Sequence, residues 1–287
     1  MKDDILISAR ENFDAKKYNN VIALCNKTLS HGAENVLEIN FLLGKAYLKL
    51  GKIEDGEIVA RDYFENCIAI DPNFADAYLY SGITIVEFGN NYALAKNYFD
   101  KACELAPKNF ETYFWRGMNF KKTEEFSKAI EDFDRAAELN PNYADIYTNR
   151  GIACVELKNY SRAIEDFTKA LEFNPEDFWA YGCRAVAYAE SKNYELAFAD
   201  FDSAIKFAPK NYFPNYKNRG SVYFESSEYE KALADFDKVF EIAPWLLEFD
   251  THISEYRDLC KKFCDGLNKK NIRELEKLPN IFLFKLL

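Results

Sequence analysis

The chain has 287 residues, of which 48% are hydrophobic and 29% are charged, and its formal net charge is -10. This composition is typical of a folded protein and argues against a disordered chain; no apolar run reaches membrane-spanning length, so we expect no membrane partner. The negative charge argues against nucleic acid as a partner, because that binding depends on clustered Lys and Arg. Length alone permits either two globular units or one extended repeat array.

The first 36 residues predict a degenerate helical hairpin, region 1–36. Apolar residues at helical spacing mark its two helices: Ile5, Ala9 and Phe13, then Tyr18, Val21, Leu24, Cys25 and Leu29. Residues 1–13 contain several charges and no sustained apolar stretch, so they lack the core of a secretory signal. We therefore expect a cytoplasmic protein.

An internal repeat of about 34 residues follows. Prolines recur at spacings of 35, 34, 34, 34 and 35, at Pro72, Pro107, Pro141, Pro175, Pro209 and Pro244. Eight residues before each proline is a phenylalanine: Phe64, Phe99, Phe133, Phe167, Phe201 and Phe236. Twelve before it is an alanine: Ala60, Ala95, Ala129, Ala163, Ala197 and Ala232. Such a fixed period indicates one supersecondary unit copied along the chain.

A small residue also recurs upstream of each phenylalanine, at Gly44, Gly82, Gly117, Gly151, Ala185 and Gly220. Two antiparallel helices approach closely only where side chains are short, and large side chains then fill the gaps beside them. Turn-like segments such as 89–91, 158–160 and 192–194 separate the two helical patterns. The unit is therefore predicted to be a helical hairpin.

These residues resemble the tetratricopeptide repeat family, a 34-residue helix-turn-helix with small residues at fixed positions and Pro near its end. The resemblance covers about residues 37–245 and implies an all-α fold, a right-handed superhelical solenoid of antiparallel hairpins. Six repeats are predicted: 37–74, 75–109, 110–143, 144–177, 178–212 and 213–246. The first has about four extra residues around 56–59, which we expect to lengthen its second helix by one turn.

The periodicity stops after Pro244, and region 247–287 is predicted to hold a capping helix and an apolar tail. Residues 248–267 have the pattern of a polar-faced helix that covers the last hairpin, as terminal repeats require. The tail 281–287 is apolar. It either packs on the cap or docks on a second subunit or partner.

A charge pair tracks the four later copies. Arginines precede the small first-helix residue at Arg116, Arg150, Arg184 and Arg219, and aspartates precede the second-helix phenylalanine at Asp132, Asp166, Asp200 and Asp235. Both charges are missing from the two earlier copies. We predict partly buried structural salt bridges, across a hairpin or between neighbouring hairpins.

No pattern of catalysis, metal binding or disulfide bonding is found. The seven cysteines are scattered among helical positions and predict buried free thiols. The two histidines have no partner pattern for nucleophilic or metal chemistry, and the glycines form no phosphate loop. We predict no enzyme activity, no cofactor and no metal.

In the resembling family, first helices line a concave groove that binds extended peptides or helices. Residues near that face of the first helices are the candidate ligand-binding residues: Tyr80, Ile83, Trp115, Met118, Asn149, Ile152, Glu156, Trp179, Val186, Glu190, Asn218, Ser221 and Glu225, with Leu42 and Lys45 in the first copy. The groove would be apolar and aromatic with a glutamate edge, which suits a hydrophobic peptide bearing basic residues. Alternatively, Trp115 and Trp179 pack between hairpins.

The predicted function is a non-catalytic scaffold or adaptor that binds a protein or peptide in this groove. The alternative is a structural protein that assembles into homo-oligomers through its end hairpins or its tail. The lysine and asparagine set with which some family members clamp chaperone C-termini is missing, and the acidic edge would repel such a tail.

Overall fold

The structure is a computed structural model that describes residues 2–32, 34–51, 53–54, 57–249 and 251–265. Seven hairpins of two helices each follow one another along the chain. They are α1 (Lys2–Asp14) with α2 (Tyr18–Ser30), α3 (Val36–Leu50) with α4 (Val59–Ile70), α5 (Ala75–Phe88) with α6 (Tyr92–Leu105), α7 (Phe110–Lys122) with α8 (Phe126–Leu139), α9 (Ala144–Glu156) with α10 (Tyr160–Phe173), α11 (Phe178–Glu190) with α12 (Tyr194–Phe207), and α13 (Pro214–Glu225) with α14 (Tyr229–Ile242). We number these pairs hairpins 1 to 7.

The chain divides into two compact units, Met1–Ile146 and Tyr147–Leu287, and the boundary falls within α9. In each unit the two helices of a hairpin pack together, and the second helix of one hairpin packs on the first helix of the next. The prediction of an all-α helical repeat is confirmed. Apart from Val36, the first residue of α3, the helices of hairpins 2 to 7 lie inside the predicted repeat ranges, whose limits stay a prediction.

The prediction of a longer second helix in the first full repeat is wrong. The extra residues form two short antiparallel strands, β1 (Ile53–Glu54) and β2 (Glu57–Ile58), with Ile53 paired to Ile58. α4 begins only at Val59 and has 12 residues, fewer than the 14 of α6. Two strands that pair with each other satisfy their backbone groups locally, so the insertion does not need to join the helix.

Short turns with left-handed residues join the helices of most hairpins. Lys158 between α9 and α10 has φ 58°, and Lys192 and Ser227 take the same conformation in hairpins 6 and 7. The Asn159 N–H donates to the Cys154 carbonyl at 2.8 Å and so satisfies a terminal carbonyl of α9. The Asn159 side chain in turn accepts from the Arg162 N–H at the start of α10. Each turn therefore ends one helix and starts the next.

The recurring phenylalanine of each second helix fills the space beside the recurring small residue of the first. A Cβ atom placed on Gly82 would lie 2.6 Å from the Phe99 ring, and one on Gly151 would lie 2.8 Å from Phe167. The corresponding Cβ contacts are 2.6 Å at Gly44, 2.8 Å at Gly117 and 3.1 Å at Gly220. The six phenylalanine rings are fully buried. The missing side chain therefore sets how closely the two helices approach.

Each predicted arginine–aspartate pair is joined by two hydrogen bonds. Arg150 Nε and Nη2 donate to the two carboxylate oxygens of Asp166 at 2.9 and 2.6 Å. Arg116–Asp132, Arg184–Asp200 and Arg219–Asp235 have the same bidentate geometry at 2.7–2.9 Å. All four bridges join the first helix of a hairpin to its second helix, and the aspartates are buried.

Three of these arginines also reach the preceding hairpin. Arg116 Nη1 donates to Asp100 at 3.0 Å, Arg184 Nη1 donates to Thr168 at 2.9 Å, and Arg219 pairs with Asp202. A guanidinium suits this double role because its donors point in several fixed directions. Within each unit, the bridges therefore connect successive hairpins as well as closing each one.

Hairpins 2 and 3 use tyrosines at the aspartate position. Tyr63 stacks on Tyr47 with ring centroids 5.3 Å apart, and the Tyr98 hydroxyl donates to Glu65 at 2.7 Å. Burial and this hydrogen bond raise the pKa of Tyr98. Aromatic contacts thus replace the ion pair where the first helix carries Leu43 or Ser81 in place of arginine.

The predicted capping helix corresponds to α16 (Thr251–Cys264), preceded by the short helix α15 (Leu246–Phe249). Ile253, Tyr256 and Cys260 of α16 are buried in a cluster with residues of α14. The Phe263 ring stacks on Tyr229 with centroids 4.4 Å apart. α16 therefore covers the last hairpin, while the tail 281–287 lies outside the described residues.

Six of the seven cysteines are buried and all seven are free thiols, but Cys264 is exposed. The prediction of buried thiols is therefore wrong for Cys264, because the last turn of α16 extends beyond the cluster that buries Cys260. Burial raises the pKa of Cys25 to about 11 and that of Cys67 and Cys260 to about 12.

We expect Gly151→Ala to destabilise unit 2, although alanine favours a helix by up to about 1 kcal/mol over glycine. The added methyl group would press on Phe167, and overpacking of this kind costs about 1–3 kcal/mol. Chemical denaturation measures the change. The double variant Gly151→Ala/Phe167→Leu should lose less free energy of unfolding than the two single variants lose together, because leucine leaves room for the methyl group. Losses that simply add would contradict the contact.

We expect Arg150→Leu to lower the free energy of unfolding by about 3 kcal/mol, because Asp166 would be left buried without its partner. Asp166 has 5% of its side chain exposed, so water cannot replace the arginine. The control is Arg135→Leu, which should change stability little, because water and salt screen the exposed Arg135–Glu138 pair. Arg150→Leu/Asp166→Leu should recover much of the loss; unchanged stability of Arg150→Leu would disprove the structural role.

We expect iodoacetamide at about pH 8 to label only Cys264 in the native protein, because the reagent needs an accessible thiolate and the other six thiols are buried. Mass spectrometry of the digested protein identifies the labelled residue. Cys264→Ser should abolish native labelling, and all remaining thiols should react after unfolding. Rapid native labelling of Cys67 would show that hairpin 2 opens more readily than its packing implies.

Candidate functional site

Most of the predicted groove residues are accessible on their first helices. In unit 1, Tyr80, Trp115 and Met118 are half-buried. In unit 2, the accessible residues are Asn149, Glu156, Trp179, Glu190, Asn218 and Glu225. Trp179 is the most open aromatic of the set, with 40% of its surface exposed. These side chains are available to a ligand in the free protein.

Four predicted groove residues are instead buried: Ile83, Ile152, Val186 and Ser221. The prediction that they face a ligand is wrong. All four directly follow the small residue of the first helix. At this position Val186 of α11 lies in one cluster with Val222 of α13, so the next first helix covers it. The longer Lys45 and Met118 occupy the same position and stay partly accessible.

Two glutamates of the predicted acidic edge contact other residues of the chain. Glu190 accepts a hydrogen bond from the Tyr160 hydroxyl at 3.2 Å, and Glu225 pairs with Lys192. Each contact joins one hairpin of unit 2 to the next. The edge is therefore partly used for hairpin stacking, and its carboxylates are less available to a basic ligand than the sequence pattern suggests.

Aromatic rings cluster on the first helices of unit 1. Phe41 of α3 lies 5.4 Å from Tyr80 of α5 and 5.0 Å from Phe74, centroid to centroid, with edge-to-face geometry. Trp115 of α7 packs on the edge of the same core and contacts Phe114. The core therefore holds the Trp115 ring in place, while part of the ring stays accessible. Trp115 thus combines packing against the core with a surface that is available to a ligand.

A cavity of about 290 Å³ lies beside these rings, between α1 and α3. Its lining consists of Arg10, Phe13, Asp14, Glu38, Phe41, Leu42 and Lys45. The sequence indicated Leu42 and Lys45 but not the contribution of α1, because the degenerate first hairpin was not assigned to the groove. The helical spacing that marked Phe13 as a first-helix residue is the signal that could have placed it here.

Lys45 is the cation at the centre of this site. Its Nζ lies 4.9 Å from the ring centroid of Phe13 and 5.6 Å from those of Phe41 and Tyr80. Arg10, the other cation of the cavity, pairs with Glu38. The ammonium is therefore held among three aromatic rings, each of which attracts a cation through its π-face.

Two carboxylates, those of Asp76 and Glu111, lie close enough to Tyr80 to act on it electrostatically. Burial raises the pKa of Tyr80, and the negative charges of Glu111 and Asp76 raise it further. Burial and Asp76 also raise the pKa of Glu111, while Lys45 opposes that rise. The first-helix surface of unit 1 thus carries charges of both signs around Tyr80.

Within the described part of the chain, no three His, Cys, Asp or Glu side chains converge on a possible metal position. Nor does this part contain a helix long and apolar enough to cross a membrane. Both histidines, His31 and His252, are exposed. The accessible features of the first helices are therefore aromatic rings, amides and isolated charges.

Comparison with known proteins identifies the repeats. Models described as tetratricopeptide repeat match residues 37–74, 87–109, 144–177, 167–199 and 214–244, and one described as TPR repeat matches 119–158. No curated protein matches the sequence significantly.

Among solved structures, the chain is similar to MamA protein at 25% identity, over 60% of this chain and 91% of that one, with a TM-score of 0.53. It shares its fold with YrrB, described as a TPR protein with an unusual peptide-binding site. The identity is 23% over 63% of this chain and 92% of that one, with a TM-score of 0.54. It also shares the fold of a tetratricopeptide repeat protein from Parabacteroides merdae, at 19% identity over 91% and 98% of the two chains, with a TM-score of 0.62. The matched repeats span more than half of the sequence, and the chain belongs to the tetratricopeptide repeat family.

Proposed function

We propose that this protein is a non-catalytic scaffold that binds a peptide or helix of another protein on the first-helix surface of unit 1. One observation carries the proposal: half-buried aromatic side chains, fixed by the core, lie beside an open cavity on the first helices. Large rigid rings gain contact area at little entropic cost and are common binding hot spots. YrrB, with the same fold, has a peptide-binding site.

The chemistry of the surface supports binding over catalysis. A catalytic site needs a nucleophile or base within hydrogen-bond reach of a partner that activates it. The accessible side chains here are Tyr80, Trp115 and Met118, which offer apolar area and one hydroxyl. A hydrophobic segment of a partner would cover these side chains, and its basic residues would lie near Asp76 and Glu111.

The first helices of unit 2 also present accessible side chains that could contact a partner. Asn149 and Asn218 are half-buried amides, which can donate to and accept from the backbone of a bound segment. Trp179 adds an exposed aromatic side chain on the following hairpin. We propose that this surface also contacts a partner, with the amides holding the backbone.

Selection of peptides from a random displayed library on the full chain tests the proposal. We expect Trp115→Ala to weaken the selected peptides about thirtyfold, which corresponds to loss of about 2 kcal/mol at a binding hot spot. The matched control is Trp245→Ala, because Trp245 is 57% exposed and follows the last hairpin in the sequence, within unit 2. Thermal melts of both variants establish that they are folded at the binding temperature.

Peptides that bind Trp115→Ala as tightly as the parent would place the site elsewhere. Loss of binding in Trp245→Ala alone would assign it to the C-terminal end of unit 2.

A further inference from the structure

We infer that the outer face of α12 is a dimerisation surface, on which α12 of a second copy of this chain packs antiparallel. The surface consists of Leu196, Ala199, Ser203 and Lys206, which we call the outer stripe of α12. These residues follow one another at spacings of three, four and three, so they lie along one side of the helix. The inference goes beyond the proposed function, because it concerns a second helix and not the first-helix surface of unit 1.

The outer stripe faces away from the rest of hairpin 6. On the opposite side of α12, Ala197 and Phe201 are buried in one cluster with residues of α11. Leu196 has 44% of its surface exposed, and Ala199 and Lys206 are also exposed. The stripe therefore presents accessible apolar surface beside a charge, and another molecule can reach it.

Other second helices of the repeat keep this face charged. The positions of Ser203 and Lys206 hold an ion pair in α6, α8, α10 and α14, formed by Lys101–Glu104, Arg135–Glu138, Lys169–Glu172 and Lys238–Glu241. The position of Leu196 is a lysine or an arginine in α8, α10 and α14. Charged residues are usual on the outer face of a surface helix. Among the second helices of hairpins 3 to 7, α12 is thus the one that lacks the outer ion pair.

The outer stripe is complementary to itself when two copies pack antiparallel. A twofold axis between Ala199 and Ser203 places Ala199 of each copy opposite Ser203 of the other, and Leu196 opposite Lys206. The Ser203 hydroxyl donates to the Ala199 carbonyl at 3.1 Å, so it needs no partner from the second copy. Small side chains at the centre allow the helix axes to approach to about 8 Å. Leu196 then packs on the aliphatic part of Lys206.

The charges at the two ends of the stripe favour the antiparallel direction. Glu195 is in the first turn of α12 and Lys206 is in the last. Among the described residues neither forms an ion pair, and Lys206 Nζ lies over the Phe207 ring, 5.1 Å from its centroid. In the antiparallel arrangement, Glu195 of each copy lies beside Lys206 of the other. A parallel arrangement would bring like charges together and is therefore disfavoured.

The small size of the surface predicts a weak dimer. α12 has 14 residues and is about 21 Å long. One helix from each copy buries less than the roughly 1,600 Å² of a standard interface, so the dimer should dissociate on dilution. Because the outer stripe is opposite the side that packs on α11, pairing through it leaves α11 uncovered. A dimer would hold two binding surfaces in one assembly and so strengthen binding to a partner that contains two recognised segments.

Sedimentation equilibrium of the full chain between about 1 µM and about 300 µM tests the inference. We expect the average mass to rise from that of a monomer towards that of a dimer over this range. Ala199→Arg should abolish the rise, because a long cation from each copy would enter the closely packed centre. The matched control is Glu165→Arg, at the same position of α10, which should leave the dimer unchanged. Both positions are exposed, and thermal melts establish that both variants are folded.

Two charge variants test the antiparallel direction. Glu195→Lys should weaken the dimer about tenfold, because lysines would then face each other at both ends of the stripe. Glu195→Lys/Lys206→Glu should return the dissociation constant to within about twofold of the parent value, since the ion pairs form again with exchanged signs. A parent chain that stays monomeric, or a dimer that Ala199→Arg leaves intact, would overturn the inference. A double variant as weak as Glu195→Lys would also overturn it, because the two charges would then not meet.

Discussion

Contact between a phenylalanine ring and the bare backbone of the facing helix fixes the geometry of hairpins 2 to 5 and of hairpin 7. At Gly44, Gly82, Gly117 and Gly151 a methyl group would come within 2.6–2.8 Å of the ring, so the helices can approach this closely only without a side chain there. The ring also fills the space completely, which gives the hairpin its dispersion contacts. In hairpin 6 the position is Ala185, which lies with Phe201 in one buried cluster.

This contact sets the register of the whole first helix, because neighbouring positions point in directions about 100° apart. The residue before the glycine faces the second helix, where Arg150 meets Asp166. The residue after it faces the next hairpin, which explains why Ile152 and Val186 are buried. The residue two before the glycine stays partly accessible in Trp115 and Asn149, whereas Leu42 at the same position of α3 is buried. Buried and accessible positions are thus separated by single residue steps.

The N-terminal half of unit 1 departs from the pattern of the later hairpins. Its first helices carry no arginine before the small residue, and its hairpins are held by stacked and hydrogen-bonded tyrosines. The available cation is Lys45, on the accessible side of α3 among three aromatic rings. In the later hairpins the recurring arginine forms an ion pair with a buried aspartate. Recurring cations are therefore paired with buried carboxylates in the later hairpins, whereas Lys45 lies among aromatic rings.

The sequence by itself determined the helical hairpins and the partners of the buried charges, because helical spacing and the fixed 34-residue period place Phe167, Gly151, Arg150 and Asp166 relative to one another. It did not determine the path of the insertion before Val59, since both a longer helix and a strand pair satisfy the backbone. The accessibility of residues after the small position was also decided only by tertiary structure, because burial there depends on the length of the side chain and on the next first helix. The surroundings of Lys45 could be known only from the tertiary structure, because the rings that meet there belong to α1, α3 and α5 and are more than 60 residues apart in the sequence.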